Sequence, residues 1–405
     1  MTSSSPSIHG FCLPRFDAVR DEFRRNFVER GEVGAAVSLW HDGECVADLW
    51  GGLADQETQR PWERDTLALV FSSTKGLAAI CMHILADRGL LDFDAPVAQY
   101  WPEFAAHGKA GITVAMVVSH QAGLPFWEET LPDGAFHDWD LVAGLLAEQA
   151  PIWEPGTTHG YHGVTLGYME GEIVRRITGK SIGRFLHEEV AAPLNADIWI
   201  GLPEAEEARV ATLYLGEPSP LSPLFQKLMS DETWVGWKLI SNNGGDMESV
   251  NTRARHAAEV PAAGGIVSAR GLAKAYAPLS LDGSLDGVRI VSPQRLPGMR
   301  AVRSASDCDF MLQVPTTFTL GFSKSWGARR YGQGEHVILG EHAFGTVGLG
   351  GSLGFADGDA GLAFGYAMNR HGGGVGLNDR GQSLVDAAYR AVGYTSSAPG
   401  FWVRG

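Results

Sequence analysis

Cysteine is scarce. The 405-residue chain has four, Cys12, Cys45, Cys81 and Cys308, scattered and without metal-ligand spacing. That excludes a disulfide-stapled scaffold and a cysteine zinc site, and it reads as the reduced thiols of a cytoplasmic protein. Basic residues are also few: 32 Lys and Arg stand against 47 Asp and Glu, a net charge of −15. This balance argues against nucleic acid and anionic membrane surfaces as partners. No apolar run approaches the roughly 20 residues of a membrane span. The start, Met1-Thr2-Ser3-Ser4-Ser5-Pro6-Ser7, has neither a basic cluster nor an apolar core, so no signal peptide is expected. The thirteen histidines contain no H-E-x-x-H, and His120, His137, His159 and His162 lack a ligand partner, so no metal is expected. There is no glycine loop with a following lysine to hold phosphate, no internal repeat, and no cofactor is expected.

What is there is ordinary globular material, 44% hydrophobic and 20% charged, long enough for two lobes around a large core. Phe16, Val19, Phe23 and Phe27 recur at helical spacing over 14–30, closed by Gly31. Strands are expected over Gly34 to Trp40 and Glu44 to Trp50, joined by the hairpin signal Asp42-Gly43. A short strand, Leu67 to Phe71, leads into a helical pattern from Ser73 to Gly89. Helical patterns follow over 114–120, 140–149, 165–178, 181–190 and 272–279. Residues 203–255 read as a long loop excursion over a pocket. Strands return at Phe318 to Phe322, Leu349 to Phe355 and Leu362 to Ala367, and residues 377–392 form a closing helix. The expected class is α+β: residues 1–84 and 285–405 form an α/β domain with an antiparallel sheet flanked by helices, and 85–284 form a helical domain.

Three stretches carry chemistry. In Ser72-Ser73-Thr74-Lys75, residues three apart on a helix share a face, so Lys75 can reach the Ser72 hydroxyl. A serine needs a nearby base to become a nucleophile, and a buried lysine is one. The same residues equally suit a helix N-cap, so alone they leave two readings. The second stretch, Trp153 to Gly163, places Tyr161 just before a helix start, either as a second base for Ser72 or as a buried tyrosine with a satisfied hydroxyl. His162 beside it shapes the site rather than binding a metal. The third stretch, Phe344 to Gly354, has small residues that let a substrate lie along a strand, with a backbone N–H available for an oxyanion, or that let a helix pack closely. It also contains Gly350-Gly351-Ser352-Leu353-Gly354, a match to the G-x-S-x-G nucleophile elbow. The elbow needs a helix after its serine and an acid before its histidine. Here a turn and a strand follow, and His371 precedes Asp386. Phe126, Trp127, Trp153, Trp234 and Trp237 are candidates to line an apolar pocket or to fill the core.

Together and in this order, the stretches resemble the serine β-lactamase and penicillin-binding superfamily, in particular the esterases with a class C β-lactamase fold, the family VIII carboxylesterases. Ser72 to Lys75 matches the family's S-x-x-K, and Tyr161-His162-Gly163 its tyrosine motif. Ser119 to Pro125 is similar to its S-H-x-S-G-L segment, with Ala122 for the second serine; Pro261 to Ile266 and Gly350 to Asp357 are also similar. The resemblance implies a β-lactamase/transpeptidase-like fold and an acyl-enzyme mechanism. Ser72 would attack an ester carbonyl, Lys75 and Tyr161 would move its proton, and the N–H groups of Ser72 and Leu349 would hold the oxyanion. The family's K-T-G falls at Thr346-Val347-Gly348, without its lysine, and the asparagine of Y-x-N is Gly163. Both departures point to small neutral esters as substrates. A β-lactamase or D-alanyl-D-alanine peptidase, an acyltransferase or amidase, use of Ser352, and a non-catalytic binding protein are the competing readings.

Overall fold

The computed structural model describes residues 7–216, 222–242, 247–328, 332, 334–397 and 401–404. Its α+β architecture is organised by one antiparallel sheet. The strand order is Ile8–Cys12, Glu44–Asp55, Gly34–His41, Leu362–Met368, Leu353–Asp357, Phe344–Val347, with a short Arg60–Pro61 strand beside Glu44–Asp55. The first hairpin turns at Asp42 and Gly43, both at positive φ (51° and 83°). Two positive-φ residues make the turn that matches strand twist. Strand alternation then splits the side chains between two cores. Val37, Leu39, Leu353, Phe355 and Phe364 pack with the helices Asp17–Glu29 and Asp379–Ala391. Ala36, Ala363 and Ala367 face the other way, into the core that holds Leu272 and Tyr276. The helix Ala269–Tyr276 presses so closely there that a methyl at Gly365 would lie 2.3 Å from the Ala269 carbonyl oxygen.

The segment between the two ends of the sheet carries most of the helices. Thr74–Asp87 is apolar all round and buried from Thr74 to Leu85, as a central helix must be. It runs through residues 84 and 85, where the two lobes were expected to divide, and ends at Asp87. Thr165–Thr178 packs on it and closes on Gly179 in the left-handed conformation (φ 71°). Trp139–Glu148 is capped by Asp138, whose side chain accepts from the Leu141 N–H.

Several expected elements differ. The strand near 318 is Thr316–Phe318, paired with Ser304–Ser306; beyond it Gly321 turns (φ 91°) and fits tightly against Ala79. The strand expected from Leu349 begins at Leu353, because Gly350 and Gly351 turn with φ of 89° and 107°. Residues 203–255 are not structureless: helices span Pro223–Ser230, Lys238–Ser241 and Arg253–Ala257. Parts of that excursion, 217–221 and 243–246, lie outside the described residues. The pattern over 181–190 continues past a wider π turn, His187–Ala191, to Leu194.

Candidate active site

Ala68–Leu69 pairs with Gly265–Val267, which pairs in turn with Ile198–Ile200. This three-stranded sheet carries the chain to Ser72 at the mouth of the central helix. The turn is tight enough to hold Phe71 at φ 43°, a conformation that bulky side chains avoid. It is fixed by the Thr74 hydroxyl, which donates to the Phe71 carbonyl and accepts from the Gly265 N–H at 2.8 Å. The helix cap position falls to Ser73, whose side chain makes no capping bond. The Ser72 hydroxyl is therefore not used as a cap.

Lys75 reaches back one turn, and its Nζ donates to Ser72 Oγ at 3.0 Å. It is only 3% exposed, and its other two donors go to the carbonyls of Gly163 at 2.6 Å and Ala262 at 3.0 Å. The Tyr161 hydroxyl donates to the same Ser72 Oγ at 2.8 Å, and Lys75 Nζ lies 4.8 Å from the Tyr161 ring centre. Three side chains separated by up to 89 residues thus meet on one oxygen.

Two histidines and an aspartate fix Tyr161. His162 Nδ1–H donates to the Gly160 carbonyl (2.8 Å), while Nε2 accepts from the Leu124 N–H (3.0 Å). Burial pushes this imidazole down to about 3, so it stays neutral and braces the loop. The His162 N–H in turn donates to His120 Nδ1 (3.0 Å), and the His120 ring sits 5.1 Å from that of Tyr161. Asp309, fully buried, accepts the Tyr161 N–H at 3.0 Å and also the N–H groups of Met311 and Leu312. Neither His120 nor Asp309 was singled out from the sequence for this role. His120 sits in the Ser119–Pro125 segment, which was the available signal; Asp309 lies in no motif.

The glycine-rich stretch serves as a close-packed turn beside Ser72. A methyl at Gly348 would lie 2.1 Å from the Val70 carbonyl oxygen and 2.2 Å from Ser352 Oγ. Ser352 is buried, with its hydroxyl on the Val70 carbonyl (2.8 Å) and Ser73 Oγ (3.1 Å), and a strand follows it. That removes the elbow reading, which requires a helix after an exposed serine. Asp386 accepts from Gln382 and Trp402, away from Ser352. The Thr346 hydroxyl donates to the Ser73 carbonyl (3.0 Å) and accepts from the Gly76 N–H (3.1 Å), tying the edge strand to the central helix. Trp153 stands behind His162, its ring 5.8 Å away, and donates to the Gln121 carbonyl.

Residues 21–389 match the Beta-lactamase family. The chain belongs to the β-lactamase family. Among relatives, it is 34% identical to the Esterase/beta-lactamase LipL of Mycobacterium tuberculosis over 371 residues, 90% of this chain and 83% of that protein. Among solved structures, a family VIII carboxylesterase is 41% identical with a TM-score of 0.84, covering 95% of this chain and 100% of that one. A penicillin-binding protein homolog from Caulobacter crescentus is 36% identical with a TM-score of 0.82, at the same coverage.

In this β-lactamase-family chain, Ser72, Lys75 and Tyr161 open onto a cavity of about 200 Å³ that Leu349 and Thr346 also line. Its aromatic wall comes from Phe71, Phe136, Phe318, Phe322 and Trp326. The five aromatics considered from the sequence lie elsewhere; Phe126, Trp127 and Trp234 are core residues. Among the described residues no group of three or more His, Cys, Asp or Glu is placed to hold a metal ion, and no helix is long and apolar enough to cross a membrane.

Proposed function

We propose that the chain is a serine carboxylesterase that hydrolyses short-to-medium acyl esters through an acyl-enzyme on Ser72. The observation that carries this reading is the meeting of Lys75 and Tyr161 on Ser72 Oγ, at 3.0 and 2.8 Å, at the wall of a largely apolar cavity. The names of the relatives, an esterase/β-lactamase and a family VIII carboxylesterase, support it. In the reactive form one member of the Lys75–Tyr161 pair is deprotonated; as Ser72 Oγ attacks the ester carbonyl carbon, its proton passes to that group. The N–H groups of Ser72 and Leu349 hold the tetrahedral oxygen, an arrangement worth about 3 kcal/mol per well-placed donor. The alcohol leaves with the returned proton. Water then repeats the sequence on the acyl-enzyme and releases the acid.

Ester selectivity follows from what faces the reacting bond. Thr346 spends its hydroxyl on the helix backbone and offers no cation, and Gly163 offers no amide. All four cysteines are free thiols, in keeping with a reducing compartment. The mixed name of the mycobacterial relative makes a β-lactam the second substrate to try. A panel of p-nitrophenyl esters from acetate to decanoate, with nitrocefin, tests the proposal. Fastest turnover on a short or medium ester is expected; faster turnover of nitrocefin than of every ester would overturn it.

A further inference from the structure

Apart from Lys75, one cationic side chain among the described residues lines the catalytic cavity: Arg255, on the short helix Arg253–Ala257. Its guanidinium carbon lies 5.0 Å from the centre of the Phe136 ring, which lines the same cavity. Among the described residues this guanidinium makes no hydrogen bond and no ion pair, and its Nη1 is buried without a partner. Its neighbours in sequence behave differently. Arg253 pairs with Glu207 at 3.0 Å, and His256 also bonds Glu207. Arg255 is half-buried, and an arginine withdrawn even partly from water is usually paired, because an uncompensated charge there is costly.

A second orphan polar atom stands behind it. Tyr168 is held in an aromatic box, 4.9 Å from Trp139, 5.6 Å from Trp127 and 6.1 Å from Phe136. Among the described residues its buried hydroxyl has no hydrogen-bond partner. Phe136 neighbours both the guanidinium and this ring, and burial keeps the phenol in its neutral, donating form. The guanidinium is thus an unspent donor at the Phe136 side of a cavity whose remaining wall is mostly apolar, and Tyr168 stands on the same Phe136 ring outside the cavity lining. Among the described residues neither group has an acceptor, and an apolar acyl or alcohol group supplies none.

We propose that Arg255, backed by Tyr168, is a specificity site for a carboxylate carried by the ester remote from its scissile bond. A planar guanidinium matches a carboxylate in paired hydrogen bonds, and the desolvated setting strengthens them. The acceptor belongs to the substrate, so an ester lacking it leaves the donors unpaired and is discriminated against. The inference rests on the Ser72 esterase reading and narrows it: the reacting end is an uncharged ester, and the far end is anionic.

Two pairs of substrates test it on the whole protein. On the acyl side, mono-4-nitrophenyl esters of glutaric, adipic and suberic acid are compared with the 4-nitrophenyl esters of unsubstituted acids of equal length. On the alcohol side, 4-(butyryloxy)benzoate is compared with phenyl butyrate. At least one arm is expected to favour the carboxylate ester in kcat/KM, and Arg255→Met is expected to cut that preference by about 10- to 100-fold, the range of a charged hydrogen bond. Arg255→Lys should keep part of it, and Tyr168→Phe, which retains the ring, should lower it several-fold. If Arg255→Met does not fold, judged by melting and by fluorophosphonate labelling of Ser72, the lysine and phenylalanine variants carry the test. No preference in either arm, or a preference that these substitutions leave undiminished, overturns the proposal while leaving the esterase reading intact. Absence of all ester turnover, with no adduct on Ser72, would instead defeat the esterase reading and this one with it.

Discussion

Lys75 Nζ has three oxygens within hydrogen-bond distance: Ser72 Oγ and the carbonyls of Gly163 and Ala262. The two carbonyls aim the amine at the serine oxygen, on which Tyr161 also converges. Tyr161→Phe keeps the ring on its supports and removes one proton carrier. It is expected to lower kcat for p-nitrophenyl butyrate by about 10²- to 10⁴-fold while KM changes little. A fall in KM and kcat together, or no fall, would remove Tyr161 from proton transfer. Ser72, Lys75 and Tyr161 were legible in the sequence because one helical turn relates the first two and a motif marks the third. Asp309 was not, because it works through a backbone N–H 148 residues away, and no spacing rule spans that distance. His162 was legible as a shaping residue. Only the structure reveals how: its two nitrogens bond Gly160 and Leu124, which fixes the tautomer.

The edge strand and the central helix are joined by small contacts that make the site rigid. Thr346 bonds the backbone at Ser73 and Gly76, and a methyl at Gly76 would meet the Tyr276 hydroxyl at 1.9 Å. Thr346→Val takes the hydroxyl partner from the buried Gly76 N–H and the Tyr276 hydroxyl, so a loss of about 1–3 kcal/mol is expected in urea unfolding. An unchanged midpoint would show that the latch carries no stability. Gly348→Ala forces the turn away from the Val70 carbonyl and shifts the Leu349 peptide with it. It should depress kcat more than KM, as loss of an oxyanion donor does. The first hairpin was readable from Asp42-Gly43, since few other dipeptides suit two positive φ values. The two- and three-residue strands at Ala68–Leu69 and Ile198–Ile200 were harder to read, the second being missed: alternation needs more residues than these strands have, and pairing comes from distant chain. The glycine at 354 was open to two readings, substrate access or close packing. The Tyr276 ring against it selects packing.

At the scale of the molecule, burial of titratable groups sets a pH dependence. Burial lowers His83 and His162 to about 3, His371 to about 4 and His120 well below 6.5. These groups are neutral when folded and protonate more readily when unfolded. Their contribution is intact above pH 6.5 and is lost as pH falls below it, by about 1.4 kcal/mol per pH unit for each group. Glu170 works in the opposite sense. Burial raises its carboxyl to about 8, and among the described residues neither oxygen has a hydrogen-bond partner. Its folded form prefers the proton, so its contribution is present below about 4.5 and declines as pH rises toward 8. Stability should therefore peak near pH 6.5, with the steeper fall on the acid side, and Glu170→Gln should remove the decline between 6.5 and 8. Urea midpoints at pH 5, 6.5 and 8 check this; a midpoint that rises from 6.5 to 8 would contradict it. Activity in that range is not expected to follow His120 or His162, which stay neutral throughout.

The claim that organises the account is that Ser72, not Ser352, is the nucleophile. A fluorophosphonate phosphonylates an activated serine, the serine oxygen displacing fluoride, and peptide mapping of the product locates it. One adduct is expected, on Ser72, in the unmodified protein and in Ser352→Ala, and none in Ser72→Ala, with hydrolysis of p-nitrophenyl butyrate following the same pattern. An adduct on Ser352, or ester hydrolysis that persists in Ser72→Ala, would contradict it.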